Sequence, residues 1–315
     1  MSKTNLENII SGILDGNRRM LARTISSVEN ICPEAEEILN RIYPLTGKAF
    51  RIGITGPPGA GKSTLTSKIG KYLRKEDKQI GIIAVDPTSP FSGGAVLGDR
   101  VRMNELVTDS GVFIRSMATR GSLGGLSKTA QDVADLMDAA GMDIVIFETV
   151  GVGQGELDVA RATDTTIVVL VPESGDSIQA MKAGLMEIAD IFIINKADRD
   201  GANKMKIELE MMLQLRSKNT KWTPPIIKTV ANQSKGVDEV LEKLKEHREY
   251  LKTHGGLQDK RYYRAVKKIQ YLVQTELERN FWTQKRHQEF EQEIEGVVEG
   301  KKKPAVLVKE LFEIK

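Results

Sequence analysis

The octapeptide Gly56-Pro57-Pro58-Gly59-Ala60-Gly61-Lys62-Ser63 decides the fold of this chain. It matches the pattern G-x-x-x-x-G-K-[ST] at every fixed position. It directly follows an apolar, β-branched run at 51–55 and precedes a segment of helical character. Glycines at these places let backbone N–H groups converge on phosphate oxygens, and the start of the next helix adds its positive end. The motif therefore predicts a strand, a phosphate-binding loop and a helix.

Six further short apolar runs follow along the chain, separated by longer amphipathic segments. They lie at 79–85, 112–116, 143–147, 165–171, 191–194 and 225–230. Continuous apolar strands that alternate with helices indicate a mostly parallel sheet covered on both faces. We therefore predict a doubly wound α/β domain over 49–254, with an N-terminal helical arm over 1–48 and a C-terminal helical tail over 255–315.

Composition limits the classes of partner. The chain has 315 residues, of which 40% are hydrophobic, so it can bury a full core. Its 46 basic and 43 acidic residues are spread along the sequence, so we expect neither a nucleic-acid nor a membrane partner. No apolar run approaches the ~20 residues that span a bilayer, and the N-terminus lacks the apolar stretch of a secretory signal. We expect a soluble, cytoplasmic protein, and the single cysteine, Cys32, excludes an intrachain disulfide.

The phosphate-binding loop assigns roles to particular side chains. Lys62 is expected to reach the β- and γ-phosphates of a nucleotide, and the Ser63 hydroxyl is expected to coordinate Mg²⁺. We predict Lys62 and Glu148 as the catalytic residues. The nucleotide-binding residues predicted in this part of the chain are Gly56, Pro57, Pro58, Gly59, Ala60, Gly61, Lys62, Ser63 and Thr64.

A second motif, Asn195-Lys196-Ala197-Asp198, follows the run at 191–194 and has the N-K-x-D pattern of guanine-specific GTPases. An ionised Asp198 can accept hydrogen bonds from N1–H and the exocyclic amine of guanine, whereas adenine has an unprotonated N1 there. Asn195 is expected to hold the neighbouring loops and Lys196 to cover the base. A backbone N–H within Val230, Ala231 and Asn232 is expected to meet guanine O6, so the predicted ligand is GTP or GDP.

Carboxylates at two strand ends indicate the metal. Asp86 follows the run at 79–85 and Glu148 follows the run at 143–147, which places both at the carboxyl edge where α/β sheets bind ligands. Mg²⁺ prefers oxygen ligands and keeps several waters. We predict Ser63, Asp86, Asp99 and Glu148 as its ligands. The glycine-rich stretch that follows Glu148 is expected to act as a nucleotide-dependent switch.

These motifs, together with the stretch Val85-Asp86-Pro87-Thr88-Ser89-Pro90 and the segment Gly98-Asp99-Arg100, resemble the MeaB/ArgK family, whose animal member is called MMAA. The resemblance covers nearly the whole chain. It implies a GTPase that chaperones an adenosylcobalamin-dependent acyl-CoA mutase such as methylmalonyl-CoA mutase, by gating cofactor loading and protecting the enzyme. It also implies a homodimer formed by the C-terminal tail, and a further switch at 173–181.

Two alternatives remain open at this stage. A P-loop ATPase or kinase linked to amino-acid transport would use ATP. A nickel-delivery GTPase would need a histidine or cysteine cluster, but Cys32 stands alone and the three histidines lie away from the nucleotide motifs. We also expect slow hydrolysis by the isolated protein, because no glutamine directly follows Gly151 to position the attacking water.

Overall fold

The computed structural model describes residues 3–86, 104–118, 128–149, 155–172, 184–216 and 222–314. In this part of the chain seven strands form one sheet, in the order β3-β2-β4-β1-β5-β6-β7, and every neighbouring pair is parallel. The strands are β1 Phe50–Thr55, β2 Ile80–Asp86, β3 Val112–Ala118, β4 Ile144–Thr149, β5 Thr165–Leu170, β6 Ile191–Asn195 and β7 Ile226–Thr229. The predicted doubly wound α/β fold is confirmed.

Helices alternate with these strands and extend the chain at both ends. Before the sheet come α1 Lys3–Leu14, α2 Arg18–Glu29 and α3 Pro33–Ile42. Between the strands lie α4 Lys62–Lys75, α5 Asn104–Val107, α6 Lys128–Ala139, α7 Gly155–Ala162, α8 Leu185–Ile188 and α9 Ala202–Arg216. After β7 come α10 Val237–Thr253, α11 Gly256–Phe281, α12 Gln284–Val298 and α13 Pro304–Glu313. None of the helices described is long and apolar enough to cross a membrane.

The strand order indicates where in the sheet the candidate site lies. From β1 the chain moves first to β2, β3 and β4 on one side, and then to β5, β6 and β7 on the other. Such a reversal leaves a crevice at the carboxyl ends of the central strands, and ligands of open α/β sheets bind in that crevice. The loop that follows Thr55 opens directly into it.

The three N-terminal helices share a hydrophobic core with the sheet. Their buried side chains include Leu21, Ile25 and Ile38, which belong to the same cluster as Val133 of α6 and Phe147 of β4. Burying each such side chain contributes roughly 1.5–3 kcal/mol. The predicted arm is therefore part of the packed body of the protein.

Two arginines connect these helices to β3. The Arg18 guanidinium donates to the carbonyls of Ser110 and Val112, at 2.8 and 2.7 Å. Arg115, inside β3, donates to the carboxylate of Glu29 and to the Ser26 hydroxyl of α2. These bonds join segments about ninety residues apart in sequence, so the helices are held by polar contacts as well as by apolar burial.

The chain divides into two compact units, Met1–Arg261 and Tyr262–Lys315. Within the second unit, α12 and α13 line a half-open apolar pocket of about 250 Å³, whose walls include Trp282, Phe290 and Leu307. Arg286 donates to the carbonyls of Phe281, Leu311 and Ile314, which fixes the end of α13. The second unit thus has its own apolar contacts and its own polar anchor.

A buried polar cluster lies at the amino ends of β5 and β6. His247 of α10 is 1% exposed, and its Nδ1 lies 2.8 Å from the Thr165 hydroxyl. Its Nε2 lies 3.4 Å from a carboxylate oxygen of Asp190, and Lys260 donates to the other oxygen at 3.0 Å. Burial, aided by the charge of Lys260, lowers the pKa of His247 to about 4, against the opposing effect of Asp190. The imidazole is therefore neutral in the folded protein at neutral pH.

This histidine predicts an acid-sensitive stability. The imidazole has a pKa of 6.5 in the unfolded chain and of about 4 in the folded protein. The stabilisation that the neutral imidazole contributes to the folded state is therefore complete above pH 6.5. It is lost as the pH falls from 6.5 to about 4. Between pH 8 and pH 5 the wild-type free energy of unfolding should fall by about 2 kcal/mol more than that of His247→Gln. Urea unfolding at both pH values measures this, with the exposed His254→Gln as control. Equal pH slopes in wild type and His247→Gln would contradict the prediction.

Candidate nucleotide-binding site

The loop after β1 adopts backbone angles that require glycine. Gly56, Gly59 and Gly61 have φ values of 136°, 73° and 86°. A Cβ on Gly56 would lie 2.0 Å from the carbonyl oxygen of Val169, and one on Gly61 would lie 2.3 Å from Asn195 Nδ2. The loop is packed against the ends of β5 and β6 too closely for any side chain at these two places.

Lys62 begins α4 and lies over this loop. Its side chain is largely buried, and its Nζ donates to the carbonyls of Gly56 and Pro57, each at 2.8 Å. These contacts hold the ammonium group beside the N-terminus of α4, whose positive end also favours an anion. Thr64, in the same turn, is half-buried.

Ser63 and Glu148 form the part of the predicted metal site that the structure describes. The Ser63 hydroxyl donates to Glu148 Oε1, and both residues are buried. Glu148 of β4 pairs in register with Ile54 of β1 and with Ala84 of β2, so it stands beside the phosphate loop. A hydroxyl and a carboxylate together offer the hard oxygen ligands that Mg²⁺ prefers, and they fit such an ion.

The side chains of the two other predicted metal ligands, Asp86 and Asp99, lie outside the described residues. Asp86 ends β2 at the same sheet edge, in register with Ala118 of β3. Residues 151–154 of the glycine-rich stretch and the segment 173–181 also lie outside the described residues. Within the ranges that the structure covers, no three His, Cys, Asp or Glu side chains gather as a metal cluster.

Asn195 joins the phosphate-binding loop to the segment 230–232, which the sequence predicts to contact guanine. Its side chain is 3% exposed; Nδ2 donates to the Ala60 carbonyl at 2.8 Å. Its Oδ1 accepts from the Thr229 hydroxyl at 3.0 Å and from the Ala231 N–H at 3.1 Å. One amide therefore bridges the loops that follow β1, β6 and β7.

The rest of the N-K-x-D motif is held by backbone contacts. Lys196 has a φ of 56°, and the Ala197 N–H donates to the Thr229 carbonyl at 3.0 Å. Asp198 is exposed, as is Asn232 in the neighbouring segment, whereas Val230 and Ala231 are buried. The Ala231 N–H is directed at Asn195, and the Val230 N–H donates to the carbonyl of Lys235. The structure thus brings the two predicted base-contacting segments together.

Sequence reasoning missed Thr229 as a partner of Asn195 and the buried hydrogen bond of 3.0 Å between Thr149 and Thr55. The position of Thr229, directly before the predicted segment 230–232, was the available signal. Arg115, a basic residue inside β3, pairs with Glu29 of α2. It is engaged away from the phosphate loop.

A parallel sheet with a phosphate-binding loop after β1 and an N-K-x-D motif after β6 defines the class of P-loop GTPases. Within that class, the family model described as Methylmalonyl Co-A mutase-associated GTPase MeaB matches residues 21–286, and this chain belongs to that family. The resemblance to the MeaB/ArgK family is thereby confirmed.

Individual relatives agree with this assignment. A protein of Pyrococcus abyssi is 53% identical over 271 residues, which cover 85% of this chain and 84% of that protein. The "Methylmalonic aciduria type A homolog, mitochondrial" of Mus musculus is 34% identical over 88% of this chain and 71% of its own length. The crystal structure of a protein named LAO/AO transport system kinase has a TM-score of 0.74 and 30% identity, and the match covers 99% of this chain and 98% of that one.

Proposed function

We propose that this protein hydrolyses GTP with Mg²⁺ and uses the hydrolysis as a switch that chaperones an adenosylcobalamin-dependent acyl-CoA mutase. The family description names a GTPase associated with methylmalonyl-CoA mutase, which supports both the activity and the class of partner. In this proposal the GTPase gates the loading of the cofactor into the mutase and protects the mutase.

The observation that carries the GTPase part is the Asn195 bridge. The Asn195 side chain fixes the phosphate-binding loop to the segment 230–232. The loop that would bind the phosphates and the segment that would contact the base are therefore held in one position relative to each other. Asp198 would accept from guanine, and the segment 230–232 would supply the N–H for guanine O6.

The chemistry proposed for the phosphate end uses residues at one sheet edge. Lys62 would contact the β- and γ-phosphates, and Ser63, Glu148, Asp86 and Asp99 would hold Mg²⁺ directly or through water. Bound Mg²⁺ would neutralise charge that develops on the phosphoryl group. Since no glutamine directly follows Gly151, we expect turnover by the isolated protein to be slow.

The test is GTP hydrolysis by the pure protein, with and without a purified adenosylcobalamin-dependent methylmalonyl-CoA mutase from the same source. We expect acceleration in the presence of the mutase, and a Lys62→Ala variant serves as the inactive control. If the mutase changes neither hydrolysis nor nucleotide affinity, the chaperone proposal fails while GTP binding remains.

We also propose that residues 255–315 form a homodimer contact. No residue of α11 is buried, although the helix carries Tyr263, Ile269, Leu272 and Leu277. A 26-residue helix with this many exposed apolar side chains gains by pairing with another apolar surface. Light scattering should give twice the chain mass, and Leu272→Glu should reduce it; a monomeric wild type would reject this proposal.

The similarity to a protein named a transport system kinase keeps a nucleotide-dependent transport kinase as the rival function. Competition between GDP and ADP separates the two, because a transport ATPase or kinase would prefer the adenine nucleotide. For nickel delivery, His247 is engaged by Thr165 at the amino ends of the strands, the sheet edge opposite to the phosphate loop. No observation favours that second rival.

A further inference from the structure

Helix α9 carries apolar side chains on two faces. One face is buried against β6 and β7 and consists of Ala202, Met205, Leu209 and Leu213. On the outward face Ile207, Met211 and Leu215 are 52%, 59% and 85% exposed. Their spacing of four residues places them in one line along the helix. We call these three residues the α9 stripe.

The α9 stripe contributes nothing to the core of the first unit. Single exposed apolar residues are normal on protein surfaces, but a continuous line of them marks a contact for another molecule. Its exposed area is on the order of 400 Å², taking about 200 Å² for each fully exposed residue of this size. Ile207, Met211 and Leu215 follow the anchor spacing by which a helix enters an apolar groove of a partner, and methionine adapts to an irregular surface.

The charges beside the stripe argue for a protein partner. Lys204 faces Glu208 at 3.9 Å and Lys206 faces Glu210 at 3.7 Å, so each lysine has an acidic neighbour one turn away. Helices that lie on anionic membranes carry an excess of basic residues instead. A rim whose lysines are paired with glutamates, around an apolar centre, matches the anatomy of protein interfaces.

The size of the stripe argues against a second copy of this chain. Two stripes facing each other would bury roughly 800 Å² in total, whereas stable dimers need about 1,200–2,000 Å². A contact of this size is typical of a transient protein–protein complex. The helix begins close after Asp198, so the stripe follows the N-K-x-D motif closely along the chain.

We propose that the α9 stripe docks into a shallow apolar groove on the client mutase. The inference rests on the proposed chaperone function, because the mutase is the partner that function requires. It adds a specific surface of this chain to that function, distinct from the nucleotide site and from the tail.

The test compares variants of the full-length protein for affinity to the purified methylmalonyl-CoA mutase of the same source, measured by calorimetry with GTP and with GDP. Met211→Glu places a charge in the centre of the stripe and should raise the dissociation constant by at least about tenfold. Two control variants should change the dissociation constant by less than about twofold. They are Met211→Leu, which keeps an apolar side chain, and Glu210→Gln, which changes the rim of the same helix. GTP hydrolysis without mutase and the melting temperature should be the same in all three, and Ile207→Glu serves as a second variant should Met211→Glu fold poorly.

The outcomes distinguish a wrong docking surface from a wrong chaperone function. If wild type and both glutamate variants bind the mutase equally well, the docking surface is wrong and the chaperone proposal stands. If wild type does not bind the mutase in either nucleotide state, both fall. If Met211→Glu instead lowers self-association of the chain alone in sedimentation experiments, the occupant is a second copy and the inference is overturned.

Discussion

Replacing Asp198 by asparagine is expected to lower the affinity for GDP and GTP by about 10³-fold or more and to create affinity for xanthine nucleotides. The carboxylate is proposed to accept two hydrogen bonds from N1–H and the amine of guanine. An asparagine amide offers one acceptor and one donor, and the donor opposes the guanine amine. Xanthine carries an oxygen at that position, which accepts the hydrogen bond that the new amide donates.

The measurement is a titration of wild type and Asp198→Asn with GDP, XDP and ADP. Asp200→Asn is the matched control, because Asp200 is exposed two residues further along and lies outside the N-K-x-D motif. It should leave GDP affinity unchanged. An Asp198→Asn variant that still binds GDP as tightly as wild type would remove Asp198 from the base site.

Truncating Asn195 to alanine is expected to lower the free energy of unfolding by about 3–5 kcal/mol, because three partners lose their hydrogen bonds at a buried position. The Ala60 carbonyl, the Thr229 hydroxyl and the Ala231 N–H all depend on this amide. The same change should weaken GDP binding at least about tenfold, since the phosphate loop and the segment at 230–232 would no longer be fixed to each other.

Urea unfolding and nucleotide titration measure the two effects together. Asn203→Ala is the control, since Asn203 is an exposed asparagine whose side-chain oxygen accepts from Lys228 Nζ at 3.0 Å. It should change the free energy of unfolding by less than about 0.5 kcal/mol. A drop of that small size in Asn195→Ala would mean that the bridge does not hold the loops.

The sheet was predictable because its strands have two independent signals. Continuous apolar runs such as 165–171 and 191–194 are typical of strands buried on both faces, and β5 and β6 occupy them with every residue buried. The octapeptide at 56–63 fixed where the first strand ends and the first crossover helix begins. Together these signals defined the fold and the edge that carries the candidate site.

The individual partners in contacts between distant segments could not be predicted. The partners of Asn195 lie 34 to 135 residues away, and no periodic pattern marks Thr229 or the Ala60 carbonyl as its neighbours. Arg115 likewise shows no sign in the sequence of its pairing with Glu29, which lies 86 residues before it. Such pairs form where loops meet at the sheet edge or where helices pack on the sheet, and local spacing in the sequence does not specify these meetings.

The core shared by the N-terminal helices and α6 has a consequence for synthesis of the protein on the ribosome. These helices leave the ribosome before α6 and β4, against which they pack and which follow roughly a hundred residues later. At 5–20 residues per second the apolar sides of α1 to α3 stay uncovered for about ten seconds. During that interval the nascent chain is open to aggregation and to proteases, so its folding yield should depend on translation speed and on holding chaperones that cover the emerging helices.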